Sequence, residues 1–390
     1  MKTTVSTPLN YLGCLLWKTY NPSPEYQHLS PSGETDFMAY LFIGSTGDRA
    51  GHSLLTWALA QKLVEKGLKI GFVKPFGTDP LFVQGAWTDH DAYLFKEALH
   101  LAEPMERICP FLVSDETWRQ KGNDELMNDF RSLAEELSEG KDILLVMGSK
   151  HIFFDDAACP IPDISFIPEL RAHFVLAHRY RRISRSIYSI LSVSSLLRER
   201  IKGIIVNRVP PKELTSIRTQ LVLSLLQKGI PMTAALPEDP VLSFRSLHEV
   251  RDVLSAELLS GEANLGKPIG GITAGSADLT GNLVLFKRAY NKIILLEPLA
   301  GEGREPESPR PIAGILLTGG RNPAPQLLLA AEKANVPLLL IKHDTFAAME
   351  LLEQTTSRLS PLDEVKMRHF SDLMDQEGAF DRLFTSLGIS

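Results

Sequence analysis

The sequence predicts an α/β protein, with an open parallel sheet that carries helices on both faces. The apolar run at residues 39–45 is typical of a parallel strand buried on both sides. Residues 53–67 place apolar side chains at helical spacing and end at Gly67, and residues 68–77 predict a second strand. Strand, helix and strand in this order form a βαβ unit, from which open parallel sheets are built.

The same alternation continues as far as residue 237, which extends the predicted sheet. Pro240 lies in the segment that interrupts the pattern, so we expect the first domain to span residues 38–240. Further strands are predicted at residues 142–148, 173–178, 203–209 and 231–237, and further helices at 91–101, 124–140, 186–201 and 214–229.

The remainder of the chain predicts a smaller α/β domain at residues 241–358 and a helical, polar tail at residues 359–390. The pattern indicates, in order, a helix at 246–262, a strand-loop-helix-strand passage at 269–299, a flexible spacer at 301–311 and a βαβ unit at 312–344.

Residues 1–37 predict a poorly ordered N-terminal extension, because their second half is rich in Pro, Ser and polar residues. Their short apolar patch lacks a small-residue cleavage site, which argues against a signal peptide. Met38 opens the first convincing strand. The extension is therefore either a loose tail or an artefact of where translation was assumed to start.

Bulk composition indicates a globular protein of the reducing cytoplasm. The net charge of −6 gives no basis for binding nucleic acid or an anionic membrane, and no apolar stretch reaches the roughly 20 residues that span a bilayer. Three widely spaced cysteines argue against a disulfide framework or a zinc site. One local basic run, residues 178–185, is either a solvated helix start or an anion contact.

The segment GSTGDRAGHS, residues 44–53, stands between the first strand and the first helix, as a phosphate-binding loop does. Such loops bind phosphate through backbone N–H groups at a helix N-terminus, a lysine on the outer phosphates and a Ser or Thr hydroxyl on Mg²⁺. His52 stands where that lysine is expected. The alternative is a turn kept for packing. The candidate nucleotide-binding residues of the loop are Gly47, Asp48, Arg49, Ala50, Gly51, His52 and Ser53.

Several segments, taken in order, resemble the N-terminal region of long bacterial phosphotransacetylases. In the first domain these are residues 44–77, 89–113, 142–148, 203–211 and 229–254; in the second they are 273–296, 314–325 and 336–345. The resemblance implies a P-loop NTPase-like domain similar to dethiobiotin synthetase, followed by a DRTGG domain, from about Met38 to about Glu353. It leaves no room for the acetyltransferase domain that follows in the long enzymes.

Carried over residue by residue, the resemblance implies a site for a nucleotide and a metal. Ser53 and Asp91 match the hydroxyl and the carboxylate that hold Mg²⁺, and Lys74, the catalytic candidate, matches a lysine beside the substrate and phosphate. Asn207 matches an asparagine at the adenine edge. Met147 falls where the family places the glutamate that is the third metal ligand, and methionine is a poor ligand for Mg²⁺.

Each of these residues also has a structural interpretation. Lys74 could be a solvated charge, Asp91 a helix cap, Asn207 a turn residue and Met147 part of the core. Loss of a phosphate cation and a metal carboxylate weakens transition-state stabilisation more than ground-state binding. We therefore expect ATP and Mg²⁺ binding without efficient turnover.

The second domain also offers a candidate ligand site, where two strands end near glycine and aspartate. Ligands of open sheets bind outside such strand ends, although a strand-to-helix turn and a helix cap explain the same residues. The sequence departs from the family at residues 297–298, where relatives have a GDR-type turn. The candidate ligand-binding residues are Thr318, Gly319, Gly320 and Asp344.

Together these observations favour a cytoplasmic regulatory or sensor protein linked to acyl-phosphate metabolism, with a nucleotide or a small anionic metabolite as its ligand. The alternatives are an active Mg-ATP-dependent ATPase or dethiobiotin-synthetase-like ligase, and a non-catalytic partner subunit of a separate acyltransferase. The resemblance implies a homodimer, and neither nucleic acid nor a membrane is expected as a partner.

Overall fold

The computed structural model describes residues 40–113, 117–153, 159–243, 245–267, 269–277, 283–284, 293–298, 312–355 and 358–389. They belong to one compact unit, Met38–Ser390. The predicted extension at 1–37 and the predicted spacer at 301–311 fall outside the described residues. Most of the helix expected within 269–299 also falls outside them.

In the first part of the chain, strands and helices alternate as the sequence predicts. The strands are β1 (Tyr40–Ser45), β2 (Ile70–Val73), β3 (Phe76–Gly77), β4 (Pro80–Val83), β5 (Ala86–Asp89), β6 (Phe111–Leu112), β7 (Ile143–Met147), β8 (His173–Arg179), β9 (Ile201–Val209) and β10 (Ala234–Pro237). The helices are α1 (His52–Glu65), α2 (His90–Ala98), α3 (Met105–Ile108), α4 (Asn123–Ser138), α5 (Asp163–Glu169), α6 (Ile183–Leu197), α7 (Leu214–Ser216), α8 (Val222–Leu226) and α9 (Pro240–Ser243).

Six of these strands form a sheet in the order β2-β7-β1-β8-β9-β10, and all neighbours are parallel. The chain starts in the middle of the sheet at β1, runs through β2 and β7 on one side, and then crosses to β8 on the other. The direction of strand succession therefore reverses at β1. Ligands of open α/β sheets bind outside the carboxyl ends of the strands at such a reversal, which is where the loop after β1 lies.

Alternate side chains of the central strands enter two apolar cores, one on each face of the sheet. Leu41 and Ile43 pack in the core that contains Leu59 of α1. Phe42, between them in the sequence, packs in the opposite core with Phe130 of α4. This alternation within a buried strand confirms the predicted open parallel sheet with helices on both faces.

A short hairpin formed by β4 and β5 was not predicted from the sequence. Gln84 and Gly85, which join the strands, both have positive φ, as two-residue hairpin turns of type I′ require. Phe82 and Trp87 pair across the hairpin with ring centroids 5.3 Å apart, and both rings are exposed. The hairpin ends at Asp89, and so delivers the chain directly into α2 and the candidate site.

The second part of the chain forms a mixed sheet in the order β11-β16-β15-β14-β12-β13, in which β15 and β16 are parallel. Its strands are β11 (Glu257–Ser260), β12 (Ile269–Ala277), β13 (Leu283–Val284), β14 (Ile293–Pro298), β15 (Gly314–Leu317) and β16 (Leu338–Leu340). Its helices are α10 (Leu247–Val253), α11 (Pro325–Lys333) and α12 (Thr345–Gln354). The helix predicted over 246–262 is wrong beyond Val253, because Ser255 adopts positive φ and the next residues pair with β16 as β11.

Two C-terminal helices, α13 (Glu364–Gln376) and α14 (Ala379–Leu387), confirm the helical tail predicted from Ser360 onwards. Their sequence is polar overall, but Met367, Phe370 and Phe380 are buried in the core around α1. The division into 38–240, 241–358 and 359–390 stays a prediction. Throughout the described part of the chain, every helix is too short or too polar to cross a lipid bilayer.

Candidate functional site

The loop between β1 and α1 has a backbone that its glycines make possible. Gly47, Arg49 and Gly51 have positive φ values of 146°, 58° and 90°. A Cβ atom at Gly51 would lie 2.4 Å from Nδ2 of Asn207, so both conformation and space favour glycine there. The helical bonding of α1 includes the bond from the Leu55 N–H to the Gly51 carbonyl, so the preceding amides lie at the helix N-terminus, where anions bind.

Neighbouring strands hold this loop in place. Oγ1 of Thr46 lies 2.7 Å from Nδ1 of His178 on β8, and burial lowers the pKa of His178 to about 4. On β9, Nδ2 of Asn207 donates to the Ala50 carbonyl at 3.0 Å, and Oδ1 of the same amide accepts from the Arg208 N–H at 2.8 Å. The residue predicted at the adenine edge is therefore buried and bonded to the loop itself, while its contact with a base stays a prediction.

Ser53, Lys74 and Asp91, which are far apart in the sequence, come together beside the loop. Oγ of Ser53 donates to Oδ1 of Asp91 at 3.0 Å, and Nζ of Lys74 donates to Oδ2 of Asp91 at 2.7 Å. The same ammonium donates to Oδ1 of Asp89 at 2.8 Å. Asp89 was missed in the sequence; it is fully buried and caps α2 by accepting the N–H groups of Asp91 and Ala92.

The charges of this cluster are strongly coupled. Burial alone would favour neutral Lys74, but the carboxylates of Asp89 and Asp91 outweigh burial and raise the pKa of Lys74 well above its usual range. Burial likewise opposes ionisation of Asp91, and the Lys74 ammonium prevails and lowers the pKa of Asp91 well below its usual range. Lys74 is thus a permanent cation held by two carboxylates, and neither a solvated charge nor a proton donor at neutral pH.

His52, at the lysine position of the loop, has the opposite electrostatic character. Burial lowers the pKa of His52 to about 4, and the attraction of Asp91 offsets that effect only in part. The imidazole is therefore neutral at physiological pH. A neutral ring at the first position of α1 cannot supply the positive charge that a loop lysine gives to the outer phosphates.

The oxygen donors of the cluster fit Mg²⁺, which in proteins binds through one or two carboxylates together with water and substrate phosphates. The Ser53 hydroxyl and the Asp91 carboxylate are adjacent and would hold the ion. Met147 is fully buried in the core beside α1 and adds no oxygen. Among the described residues there is no group of three or more His, Cys, Asp or Glu side chains that could bind a metal without the phosphates.

Family comparisons agree with this geometry. Residues 39–246, just over half of the chain, match the family model described as AAA domain, and residues 249–355 match the DRTGG domain model. The chain belongs to the AAA domain family. A DRTGG domain follows its AAA domain.

The relatives of this AAA domain protein include longer acetyltransferases. Phosphate acetyltransferase of Synechocystis sp. is 26% identical over 395 residues, which cover 89% of this chain and 51% of the relative. Phosphate acetyltransferase of Deinococcus radiodurans is 24% identical, with 84% and 47% covered. The chain spans about half the length of these relatives, which confirms the resemblance to their N-terminal region. Among solved structures, the septum site-determining protein MinD complexed with Mg-ADP from Pyrococcus horikoshii OT3 is 15% identical in sequence. The match covers 53% of this chain and 83% of the MinD chain, with a TM-score of 0.32.

The AAA domain also contains a buried carboxylate that sequence reasoning missed. Oδ2 of Asp163 accepts the N–H of Ser149 at 2.7 Å and its hydroxyl at 3.2 Å, directly after β7. A Cβ atom at Gly148 would approach this oxygen to 2.3 Å. Asp163 thus closes the β7 loop next to the position of the expected glutamate. Its sequence signal was its place at the start of an apolar helix.

In the DRTGG domain, the candidate ligand residues lie close together, and their polar groups form hydrogen bonds within the protein. The amides of Gly319 and Gly320 donate to the carbonyls of His343 and Ile341, at 3.0 and 2.8 Å. Oδ1 of Asp344 accepts the Ala347 N–H at 2.8 Å and caps α12. Thr318 is buried with its hydroxyl 3.4 Å from that of Thr345. These contacts correspond to the turn and cap interpretation, and the ligand-binding role stays a prediction.

Proposed function

We propose that this chain is a regulatory nucleotide-binding protein, in which the AAA domain binds a Mg-nucleotide with little or no hydrolysis and the DRTGG domain senses a small anionic metabolite or mediates association. The observation that carries the proposal is the contrast within one site. The Ser53–Asp91 pair that suits Mg²⁺ is intact. The position expected to hold the phosphate cation has a neutral imidazole, His52, and the position expected to hold the third metal ligand has a buried thioether, Met147. Binding needs the first feature, and phosphoryl transfer needs the others.

The relatives support a link to acyl-phosphate metabolism. Both are named phosphate acetyltransferases, and this chain is similar to about half of each. We propose that the protein acts in the cytoplasm as a homodimer and regulates such metabolism, either alone or as a non-catalytic partner of a separate acyltransferase.

An ATP-dependent enzyme is the second candidate, and one observation favours it. Lys74 remains a buried cation 2.7 Å from Asp91, at the position of the lysine beside the substrate in dethiobiotin-synthetase-like enzymes. Displacement of this ammonium from Asp91 by Mg²⁺ would place a positive charge next to a bound phosphate.

Titration calorimetry with ADP and ATP, with and without Mg²⁺, tests the proposal. We expect Mg²⁺ to tighten nucleotide binding to the wild type and to Ser53→Thr, which keeps the hydroxyl, but not to Ser53→Ala. His52→Lys should tighten ATP binding about tenfold by adding a charge-assisted contact. Absence of binding at millimolar nucleotide would contradict the proposal. ATP hydrolysis that Ser53→Ala abolishes would favour the enzyme instead.

A further inference from the structure

We propose that Arg49, Arg179 and Arg208 form a phosphate-binding arginine cluster on and beside the loop between β1 and α1. The inference rests on the proposed function, because it concerns the ligand of the same loop. Its ligand class is a polyphosphate anion, whether as part of a nucleotide or as inorganic polyphosphate.

One of the three arginines belongs to the loop, and the other two lie at the carboxyl ends of the adjacent strands β8 and β9. Arg49 belongs to the loop and is exposed. Arg179 is the last residue of β8, and its Nη1 donates to the Asp48 carbonyl at 3.5 Å. In the sheet, Arg179 lies opposite Asn207, the residue that holds the loop from β9, and Arg208 comes directly after it. The carboxyl ends of two adjacent strands thus bring two guanidinium groups to the loop that contains the third.

The guanidinium groups of the cluster lie close enough to affect one another's charge. Burial lowers the pKa of Arg208, and the charges of Arg179 and Arg49 lower it further, against a partial opposing effect of Glu238. Within the described ranges, no carboxylate comes within salt-bridge distance of Arg179 or Arg208. Like charges held close together, in a chain of net charge −6, are stabilised when an anion binds between them.

The backbone supports the same assignment. Arg49 and Arg208 have φ values of 58° and 60°, in the left-handed region that residues other than glycine rarely adopt. Such conformations persist where the surrounding structure fixes them, and they concentrate at ligand sites. Nη2 of Arg208 also donates to Oγ of Ser243 at 3.0 Å, which orients the guanidinium.

Guanidinium chemistry explains why this cluster suits a phosphate ligand. Arginine stays charged at every physiological pH and presents a planar set of donors that matches phosphate oxygens. Among the arginines of the basic run at residues 178–185, Arg179 is the one with a described hydrogen bond to the loop. Arg181, Arg182 and Arg185 are exposed.

Calorimetric titration with Mg-ADP and with inorganic tripolyphosphate tests the inference. Arg179→Gln and Arg208→Gln should each weaken binding of both probes about tenfold, and the double variant about a hundredfold, since each removes a charge-assisted hydrogen bond. Arg185→Gln removes the same charge from an exposed position on α6 and should bind within twofold of the wild type. Arg179→Lys should recover part of the affinity if charge is what matters.

The outcomes separate this inference from the proposed function. Arginine-dependent tripolyphosphate binding without ADP binding would support the cluster and contradict a nucleotide ligand. ADP binding that is unchanged in the double variant would overturn the cluster and leave the nucleotide proposal standing. Failure of both probes to bind the wild type would overturn both. Circular dichroism and thermal unfolding confirm that each variant is folded, so a loss of binding reports on the site.

Discussion

Burial is the largest influence on the His52 imidazole: it lowers the pKa, as does the Lys74 ammonium, and it outweighs the carboxylates of Asp91, Asp89 and Asp48, which raise the pKa. Because burial lowers the pKa of His52 to about 4, the folded loop is uncharged at this position from physiological pH down to mildly acidic pH. A proton that binds here in the folded state must enter a site close to the Lys74 ammonium. His52 therefore costs stability in acid, and it makes the loop itself sensitive to pH.

Lowering the pH from 6.5 to 4 should destabilise the wild type more than His52→Gln. Over this range the unfolded chain takes up a proton at His52, with an ordinary pKa of 6.5, and the folded chain does not, so the free energy of unfolding falls as pH falls. The loss attributable to His52 is at most about 3 kcal/mol, and less where solvent reaches the ring. Urea denaturation between pH 7.5 and 4 measures it.

The control for this titration is His100→Gln, which removes an exposed imidazole and should retain the wild-type pH dependence. Equal pH slopes for His52→Gln and the wild type would contradict the interpretation that burial holds His52 neutral.

At the scale of secondary structure, α1 is stabilised by an element that lies at the other end of the sequence. The ammonium of Lys62 on α1 pairs with Asp375 on α13 at 3.0 Å and lies 5.5 Å from the centre of the Phe380 ring. Phe370 of α13 is buried in the same core. Helix α1, which follows the candidate nucleotide-binding loop, therefore depends on the C-terminal helices for part of its core.

Replacing Phe370 with Ala should reduce the free energy of unfolding by about 3 kcal/mol, because the ring is 1% exposed and its removal leaves a cavity against the α1 core. Urea denaturation measures the loss. Val365→Ala on the same helix is the matched control, since Val365 is 54% exposed and should cost less than about 0.5 kcal/mol. Similar losses for both variants would show that α13 does not pack on α1 in solution.

The elements of the central sheet could be predicted because their strands are continuous apolar runs, which is the direct consequence of burial on both faces. The β4–β5 hairpin could not, because its strands are short and partly exposed, and the first of them begins at Pro80. The strand β11 was not predicted, because residues 257–260 carry apolar side chains that also suit a helix. Its pairing with β16, far away in sequence, decides between them.

The candidate site was predictable in part for a similar reason. Ser53, Lys74 and Asp91 follow strands or begin helices of recognisable units, and the family resemblance assigned their roles. Asp89 was missed because its significance lies in contact with Lys74, which only the folded chain shows. Arg179 and Arg208 were not predicted as a pair either, since β8 and β9 bring them together only in the sheet.

At the scale of the whole molecule, a buried charged cluster joins the DRTGG part of the chain to α13. Nζ of Lys366 lies 3.8 Å from Oε2 of Glu249 on α10 and 3.6 Å from Oδ1 of Asp363. His248 bonds with Ser246 through Nδ1 at 2.9 Å and with Ser360 through Nε2. These charged groups are nearly inaccessible to solvent, so their mutual compensation matters more than it would at a surface.

Lys366→Met should lower the free energy of unfolding by about 3 kcal/mol and broaden or split the calorimetric unfolding transition. The reason is that Glu249 and Asp363 would remain buried without their cation. Differential scanning calorimetry measures both effects. Lys333→Met, at an exposed position on α11, should leave a single wild-type transition. If Lys366→Met unfolds in the same single transition as the wild type, the cluster does not stabilise the contact between the DRTGG part of the chain and α13.

The short hairpin before α2 has a consequence for exchanging parts between relatives. Arg358, just beyond the matched DRTGG segment, pairs with Asp79 at 2.7 Å, and the Asp79 amide donates to Asp89, the partner of Lys74. A chimera that swapped residues 249–355 alone would leave Arg358 and Asp79 matched to each other but would replace Glu249, which accepts the Arg358 amide. Recombination that keeps both contacts must therefore transplant Asp79 and the hairpin together with residues 249–358.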